Sequence, residues 1–225
     1  MDADFWNERW EKGETGWHEG RPNPYLVQHW ERLALPPGST VLVPLCGKSV
    51  DLLWLRERGA HAVGVELSGI AVRDFAEESG LTLNARRDGA LTRHFTGGLE
   101  LWEGDIFDLS PGQLPAIDAV FDRAALMALP SRMRGPYARQ LQRLAPAARA
   151  MLIVTTYSPQ ASDERPPFSV DADEIRAHFG ETYRVEVLET KDILADFPAL
   201  QRRGFRSLTE TAYQLVRRDE SKPTG

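Results

Sequence analysis

Seven short apolar segments, rich in β-branched residues, recur along this chain of 225 residues. They lie at 41–45, 62–67, 99–102, 117–121, 151–156, 183–188 and 211–217. Runs of this length and composition, separated by polar and turn-forming residues, are typical of buried β-strands. We therefore predict a central sheet of seven strands.

Helical patterns fill most of the intervals between these strands. They cover 50–58, 69–78, 133–144 and 171–179. This alternation predicts an α/β fold with a mostly parallel sheet and helices on both of its faces. The last two strands lack a clear crossover helix between them, which favours an antiparallel final pair. In such folds ligands bind beyond the carboxyl ends of the strands, where the strand order reverses.

The charge pattern narrows the range of partners. The chain carries 27 Lys and Arg against 33 Asp and Glu, a net charge of −6, with basic residues scattered among acidic ones. Nucleic-acid binding needs a basic stripe along the phosphate backbone, so no nucleic acid is expected and a small molecule is favoured. The sequence has no bilayer-length apolar run, no signal-peptide pattern and no obvious exposed apolar stripe. We expect a cytoplasmic monomer without membrane contact.

Cysteine and histidine usage excludes several kinds of site. The single cysteine, Cys46, rules out an internal disulfide and a multi-cysteine zinc site. The five histidines show no ligand spacing, so we expect no metal. Cys46 itself is interpreted as a small apolar filler in a strand-to-helix turn rather than as a nucleophile.

The sequence Gly47-Lys48-Ser49 matches the last three residues of a phosphate-binding P-loop. A P-loop also needs a glycine five residues before its Gly-Lys pair, and Leu42 stands there. Gly47 follows the first predicted strand, where a missing side chain lets a ligand approach the backbone. A turn glycine without a ligand is the simpler alternative. Lys48 is interpreted as a helix-start or solvent-facing charge.

Glu66 changes the interpretation of Gly47. It ends the second predicted strand, 19 residues after Gly47, where an acid in a Rossmann-type unit accepts hydrogen bonds from ribose hydroxyls. The alternative is a charge at the start of the next helix. A dinucleotide would require Gly-x-Gly-x-x-Gly, whereas this loop has one glycine. The pattern therefore favours S-adenosylmethionine, which carries no phosphate.

Two further pairs of residues follow predicted strands. Asp105 and Ile106 are placed to meet an adenine, by a hydrogen bond to its amine and by packing on its face. Asp122 and Arg123 leave the sheet where the reactive end of a cofactor would lie, and the guanidinium could hold an anionic substrate or the cofactor's carboxylate. A strand-end acid beside a core isoleucine, and a surface ion pair, are the alternatives.

The N-terminal segment is rich in tryptophan. Trp6 and Trp10 lie one helical turn apart, and Trp17 follows in a charged, glycine-containing stretch. Aromatic faces attract a sulfonium cation and can sandwich a flat heterocycle. We expect a lid that does both, although a hydrophobic cap on the sheet would explain the same residues.

Several motifs together resemble one family. They are "FWNERWEKGETGWHEG", "VPLCGKSVDLLWLRERG", "AVGVELS", "IFDL", "FDRAALMALP" and "PPFSVDADEIRAHFG". Over nearly the whole chain this combination is similar to the bacterial branch of the thiopurine S-methyltransferase family. The resemblance implies a Rossmann-like class I fold and S-adenosylmethionine-dependent methylation of aromatic and heterocyclic thiols such as thiopurines. It also suggests selenium or tellurium compounds as acceptors, with a role in tellurite or selenite detoxification.

The resemblance also implies roles for particular residues. Cofactor contacts are implied for Trp10, Leu45, Glu66, Ile106 and Arg123, to which the residue patterns above add Gly47 and Asp105. Trp17 takes the substrate-facing aromatic position, and Arg123 is a second candidate for substrate contact. Asp122 and Arg123 could steer the acceptor, and no catalytic base is assigned. The segment "DFPALQRRGFRS" departs from the mammalian pattern, so Arg202, Arg203 and Arg206 receive no role.

The expected organisation is a single domain over 1–218, with 1–35 as the lid segment and 219–225 as a flexible tail. Two alternatives to the enzyme remain open at this point. One is a protein of the same fold that binds S-adenosylmethionine or oxyanions without turnover. The other is a nucleotide hydrolase built on Gly47-Lys48-Ser49.

Overall fold

Nine strands form one mixed sheet in the computed structural model, which describes residues 3–159 and 166–218. The strands are β1 (Thr40–Pro44), β2 (His61–Glu66), β3 (Asn84–Asp88), β4 (Leu91–Thr96), β5 (Leu99–Glu103), β6 (Ala119–Arg123), β7 (Arg149–Ser158), β8 (Tyr183–Asp192) and β9 (Ser207–Arg217). Their order across the sheet is β3-β4-β5-β2-β1-β6-β7-β9-β8. The tail expected at 219–225 lies outside the described residues.

The centre of the sheet is parallel and both ends are antiparallel. Strands β5, β2, β1, β6 and β7 run parallel to one another. At one end β9 is inserted antiparallel between β7 and β8. The predicted α/β fold, the parallel centre of its sheet and the antiparallel final pair are confirmed.

The prediction of seven strands was wrong, because β3 and β4 form an additional hairpin at the other end of the sheet. The residues of β3 are exposed except for half-buried Asp88, and Leu91 is the one buried residue of β4. A hairpin at the edge of a sheet is held by backbone hydrogen bonds to β5 and needs few apolar residues. The apolar pattern that indicates buried strands is therefore absent here.

Eight α-helices accompany the strands in the described part of the chain. They are α1 (Ala3–Glu11), α2 (Pro24–His29), α3 (Asp51–Glu57), α4 (Gly69–Ser79), α5 (Ala125–Ala128), α6 (Ser131–Leu144), α7 (Ala172–Phe179) and α8 (Pro198–Arg202). The four predicted helices correspond to α3, α4, α6 and α7, with ends shifted by one or two residues. Among the described residues, no helix combines the length and apolar composition that a bilayer crossing requires.

Apolar side chains pack against both faces of the sheet. Leu42 of β1 belongs to a core cluster with Tyr137 of α6, whereas its neighbours Val41 and Val43 belong to the opposite cluster. Phe75 of α4 lies in that second cluster. Successive side chains of a strand point to opposite faces, so buried strands between two helical layers are apolar throughout, as the 41–45 segment is.

Candidate active site

A pocket of about 720 Å³ lies at the carboxyl ends of β1, β2 and β6. The chain proceeds from β1 to β2 in one direction along the sheet and later returns to β6 on the other side of β1. This reversal of strand order is where the topology predicts a ligand site. The N-terminal segment covers one side of the pocket, and residues from 193–210 line another.

The loop after β1 has an unusual backbone. Leu45 and Gly47 have φ angles of +47° and +54°. This conformation is costly for leucine, on the order of 1–3 kcal/mol, and persists only where the surroundings impose it. Between them, the Cys46 amide donates to the carbonyl of Val65 at 3.0 Å, which ties the loop to β2. The strained loop brings Leu45, Cys46 and Gly47 into the pocket lining.

Glu66 joins this loop to the end of β2. Its carboxylate is 7% exposed and accepts the Gly47 amide on Oε2 and the Ser68 amide on Oε1, each at 2.8 Å. Burial raises the pKa of Glu66, and these backbone hydrogen bonds oppose that shift. Each carboxylate oxygen has a second lone pair. Glu66 lines the pocket, so its remaining acceptor capacity is available to a ligand such as a ribose diol.

Asp105 and Ile106 lie in a small recess beside the main pocket. The recess measures about 30 Å³ and shares Leu45 and Leu67 with the pocket. Asp105 is exposed and caps a 3₁₀ turn by accepting the Phe107 amide at 3.0 Å, whereas Ile106 is buried. The structure thus brings both residues next to the loop after β1, although neither lines the main pocket.

Asp122 and Arg123 occupy different environments. Asp122 is fully buried, accepts the Tyr137 hydroxyl at 2.7 Å and the Ala125 amide at 3.1 Å, and does not line the pocket. Burial raises its pKa to about 6, while the Tyr137 hydrogen bond lowers it. Because its two oxygens are engaged inside the core, Asp122 does not contact an acceptor in the pocket directly.

Arg123 does line the pocket and holds the N-terminal segment. Its Nη2 donates to the carbonyl of Trp17 at 3.1 Å and forms an ion pair with Glu19 at 2.8 Å. The guanidinium is therefore already paired with a carboxylate. A ligand carboxylate would have to share or displace Glu19.

The three tryptophans of the N-terminal segment form one edge-to-face cluster. Trp17 lies 5.3 Å from Trp6 and 5.9 Å from Trp10 between ring centroids. Trp10 is buried against Gly47, whereas Trp17 is 36% exposed at the pocket. The cluster places aromatic faces in the pocket lining.

Several lining residues were not singled out from the sequence. Asp51 at the start of α3 is buried, and it accepts the Asn23 amide at 2.7 Å and the Ser49 hydroxyl at 2.8 Å. From the C-terminal part come Ile193, Phe197, Leu200, Leu208 and Glu210. Leu208 and Glu210 lie two residues apart in β9 and so face the same side of the sheet, but they precede the predicted strand 211–217 and no local signal pointed to them.

Other basic residues lie away from the pocket lining. Lys48 forms an ion pair with Glu78 of α4 instead of facing solvent, and it is not available to a phosphate in the way a P-loop lysine is. Arg202, Arg203 and Arg206 are exposed and do not line the pocket. Within 3–159 and 166–218, no group of three His, Cys, Asp or Glu is arranged to hold a metal ion.

The charged lining is predominantly acidic. It consists of Glu14, Glu19, Asp51, Glu66, Glu210, Arg9 and Arg123. Excess carboxylates and aromatic faces favour a cationic ligand such as a sulfonium. A volume of about 720 Å³ also falls within the range of small-molecule and cofactor sites. The residues present thus fit S-adenosylmethionine.

Comparison with known proteins supports the same assignment. The family described as Thiopurine S-methyltransferase (TPMT) matches residues 1–218. The thiopurine S-methyltransferase of Pseudomonas fluorescens is 42% identical over 215 residues, covering 96% of this chain and 99% of that protein. The thiopurine S-methyltransferase of Bordetella petrii is 43% identical over 218 residues, again covering 96% of this chain and 99% of that protein.

Solved structures show the same fold. The 1,6-didemethyltoxoflavin-N1-methyltransferase of Burkholderia thailandensis, with 1,6-didemethyltoxoflavin and S-adenosylhomocysteine bound, has a TM-score of 0.64 at 12% identity, covering 95% of this chain and 87% of that one. At that identity the likeness concerns the fold alone, and it confirms the class I methyltransferase architecture. From the family match and the two relatives, we conclude that the chain belongs to the thiopurine S-methyltransferase family, whose members are S-adenosylmethionine-dependent transferases.

Proposed function

We propose that the chain methylates the sulfur of an aromatic or heterocyclic thiol, such as a thiopurine, within the 720 Å³ pocket. The observation that carries this proposal is the continuity of the pocket. Glu66 and Gly47 line one part of it, while Trp17, Phe197 and other apolar residues line the rest. A nucleoside donor and a flat acceptor could therefore lie in direct contact.

The proposed cofactor residues would contact different parts of S-adenosylmethionine. Glu66 would accept ribose hydroxyls, and Leu45 and Gly47 would pack against the nucleoside. Asp105 and Ile106, which line the small recess beside the pocket, would contact the edge of the adenine. Arg123 would hold the cofactor's carboxylate or an acidic acceptor. Trp10 would place its indole beside the sulfonium. When bound, S-adenosylmethionine supplies an electrophilic methyl group.

The acceptor side would be formed by aromatic and apolar residues. Trp17 and Phe197 are both partly exposed at the pocket, so they could clasp a flat ring. The main contribution of the chain to rate would be alignment, for which intramolecular reactions reach effective molarities of about 10⁵ M or more. Covering the pocket with the tryptophan cluster would also exclude water.

Selenium and tellurium compounds are the second acceptor class that the resemblance suggests. The two arginines of the lining are both paired, Arg9 with Glu14 and Arg123 with Glu19. An oxyanion such as selenite or tellurite would thus enter an acidic pocket without an unpaired arginine, so we rank thiols first. The proposed location is the cytoplasm, where the free, buried Cys46 would stay reduced.

The test is a product assay with labelled S-adenosylmethionine. The protein is incubated with 6-mercaptopurine, substituted thiophenols, selenite and tellurite, and each methylated species is identified by mass spectrometry. We expect label on the sulfur of the aryl and heteroaryl thiols. Calorimetric binding of S-adenosylmethionine without product from any acceptor would instead support a binding protein without turnover.

A further inference from the structure

Glu210 reaches the pocket from the C-terminal half of the sheet. In β9 it lies opposite Thr155 of β7 in the antiparallel register, and Leu208 precedes it by two residues on the same face. All three residues line the pocket. β9 is separated from β1 by β6 and β7, so Glu210 lies away from the Glu66 end, on the side assigned above to the acceptor.

Glu210 differs from the other carboxylates of the lining in its partners. Glu14 and Glu19 are paired with arginines, and Asp51 and Glu66 accept backbone amides. Among residues 3–159 and 166–218, no lysine or arginine nitrogen lies within 4.0 Å of the Glu210 carboxylate, the limit for an ion pair. Among the carboxylates that line the pocket, Glu210 therefore has the fewest stabilising partners in the described part of the chain.

Tyr25 of α2 supplies a second observation. Its side chain is 1% exposed, and its hydroxyl lies beside the Glu210 carboxyl without completing a well-formed hydrogen bond. A buried hydroxyl without a partner is costly, on the order of 1–3 kcal/mol. A small shift of Glu210 would let this hydroxyl donate to the carboxylate. In that arrangement the Tyr25 hydroxyl would stabilise the ionised form of Glu210.

The charged surroundings of Glu210 adjust its basicity. Burial raises its pKa above the usual range, and Glu19 acts in the same direction. Tyr25, Arg123 and Lys191 lower it. A carboxyl with a raised pKa is a better proton acceptor near neutral pH than an exposed one.

We propose that Glu210 is the proton acceptor for an acceptor thiol that enters the pocket in its neutral form. The inference rests on the proposed function. The S–H bond breaks and its proton passes to Glu210, directly or through one water. The sulfur lone pair forms the new C–S bond, and the bond from the methyl carbon to the donor sulfur breaks, leaving S-adenosylhomocysteine. The acidic lining disfavours the binding of a thiolate, so neutral thiols are the preferred class of acceptor.

The test compares Glu210→Gln with the native protein across thiophenols whose substituents set different thiol pKa values. For thiols that are mostly protonated at the assay pH, kcat of the variant should fall about 10²-fold or more, the usual contribution of a general base. For thiols already ionised, the loss should be small and KM should decrease, because a repelling charge is gone. A uniform loss across the series would overturn the proposal.

Two further measurements separate this role from a structural one. Ultraviolet absorption of a bound aryl thiol, with S-adenosylhomocysteine present, should show more thiolate in Glu210→Gln than in the native protein. The reason is that the negative charge of Glu210, which opposes ionisation of the neighbouring thiol, is gone. Unchanged absorption would contradict the proposal. Tyr25→Phe should move the acidic limb of the pH–rate profile to higher pH, because the adjacent Tyr25 hydroxyl lowers the pKa of Glu210 and is absent from the variant. An unmoved limb would also count against the proposal.

The matched control is Glu186→Gln in β8, a partly exposed residue paired with Arg184, which should leave all of these measurements unchanged. A native protein that methylates none of the thiols would refute the proposed function itself. A native protein that is active, with a variant that responds uniformly, would refute the Glu210 inference alone.

Discussion

Trp10 lies directly over Gly47: a β-carbon on Gly47 would be 3.1 Å from Cζ2 of the indole. Gly47 also has a φ angle of +54° and donates its amide to Glu66. The tryptophan cluster, the loop after β1 and the acid at the end of β2 therefore meet at one residue without a side chain. A substitution at any one of the three should therefore alter the position of the other two.

Replacing Gly47 with alanine should displace Trp10 and strain the loop. We expect a loss of roughly 1–3 kcal/mol in the free energy of unfolding and a weaker affinity for S-adenosylmethionine, measured by denaturant titration and calorimetry. Gly38→Ala is the matched control, since Gly38 has a φ angle of +78° but no atom near its β-carbon position. Equal effects in both variants would show that backbone strain alone, and not the Trp10 contact, is responsible.

Replacing Glu66 with glutamine should weaken cofactor binding. The new NH₂ group would face the Gly47 or Ser68 amide, so a hydrogen bond of the loop would be lost together with one acceptor for the ribose. We expect the dissociation constant of S-adenosylmethionine to rise about tenfold or more by calorimetry. The exposed Glu57→Gln in α3 is the charge control. Unaltered affinity in Glu66→Gln would exclude Glu66 as a cofactor residue.

Variants of Arg123 and Glu19 should separate two roles of Arg123, which are the binding of a ligand anion and the attachment of the N-terminal segment. Arg123→Ala removes the guanidinium and therefore both roles, whereas Glu19→Gln removes only the carboxylate that is paired with it. If Arg123 holds an anion, the first should weaken S-adenosylmethionine binding by about tenfold to a hundredfold and the second should preserve it. Both variants should alter the tryptophan fluorescence to which Trp17 contributes.

Arg123→Ala also tests whether Arg123 steers an anionic acceptor. The variant should then lose more turnover with a carboxylated thiol than with a neutral one, and equal losses would remove that role.

Replacing Tyr137 with phenylalanine should make stability more sensitive to pH. Asp122 has a pKa of about 6 against an ordinary value of 3.8, so its contribution to stability is full below about pH 4 and is lost as the pH rises through 6. Without the Tyr137 hydroxyl the ionised carboxylate loses its main partner, and its pKa rises further. Denaturant unfolding should show a loss of roughly 1–3 kcal/mol at pH 7 and less at pH 5.

Tyr157→Phe provides the comparison for Tyr137→Phe. Its hydroxyl donates to the neutral carbonyl of Pro167 at 2.9 Å, so its loss should cost the same at pH 5 and pH 7. A similar loss at the two pH values for Tyr137→Phe would show that ionised Asp122 does not depend on that hydroxyl.

Much of the fold follows from local pattern. The segment 41–45 is apolar at every position because β1 is covered on both faces, and the apolar stripe of α6 reflects packing on one face. Gly47 and Glu66 were likewise identified by their positions after two consecutive strands. These features were predictable because each depends only on the burial or the turn of its own segment.

Local pattern did not predict three other features. These are the hairpin of β3 and β4, the inward orientation of Asp122 and the position of Glu210 in the pocket lining. Each depends on a partner far along the chain: β5 for the hairpin, Tyr137 for Asp122, and the β7–β9 pairing for Glu210. The sequence by itself predicted seven of the nine strands and four of the eight described helices, and it pointed to Gly47 and Glu66, because hydrophobic burial is encoded in local periodicity. The tertiary structure alone decided which charges meet in the pocket, because strand order brings together side chains that no local pattern relates.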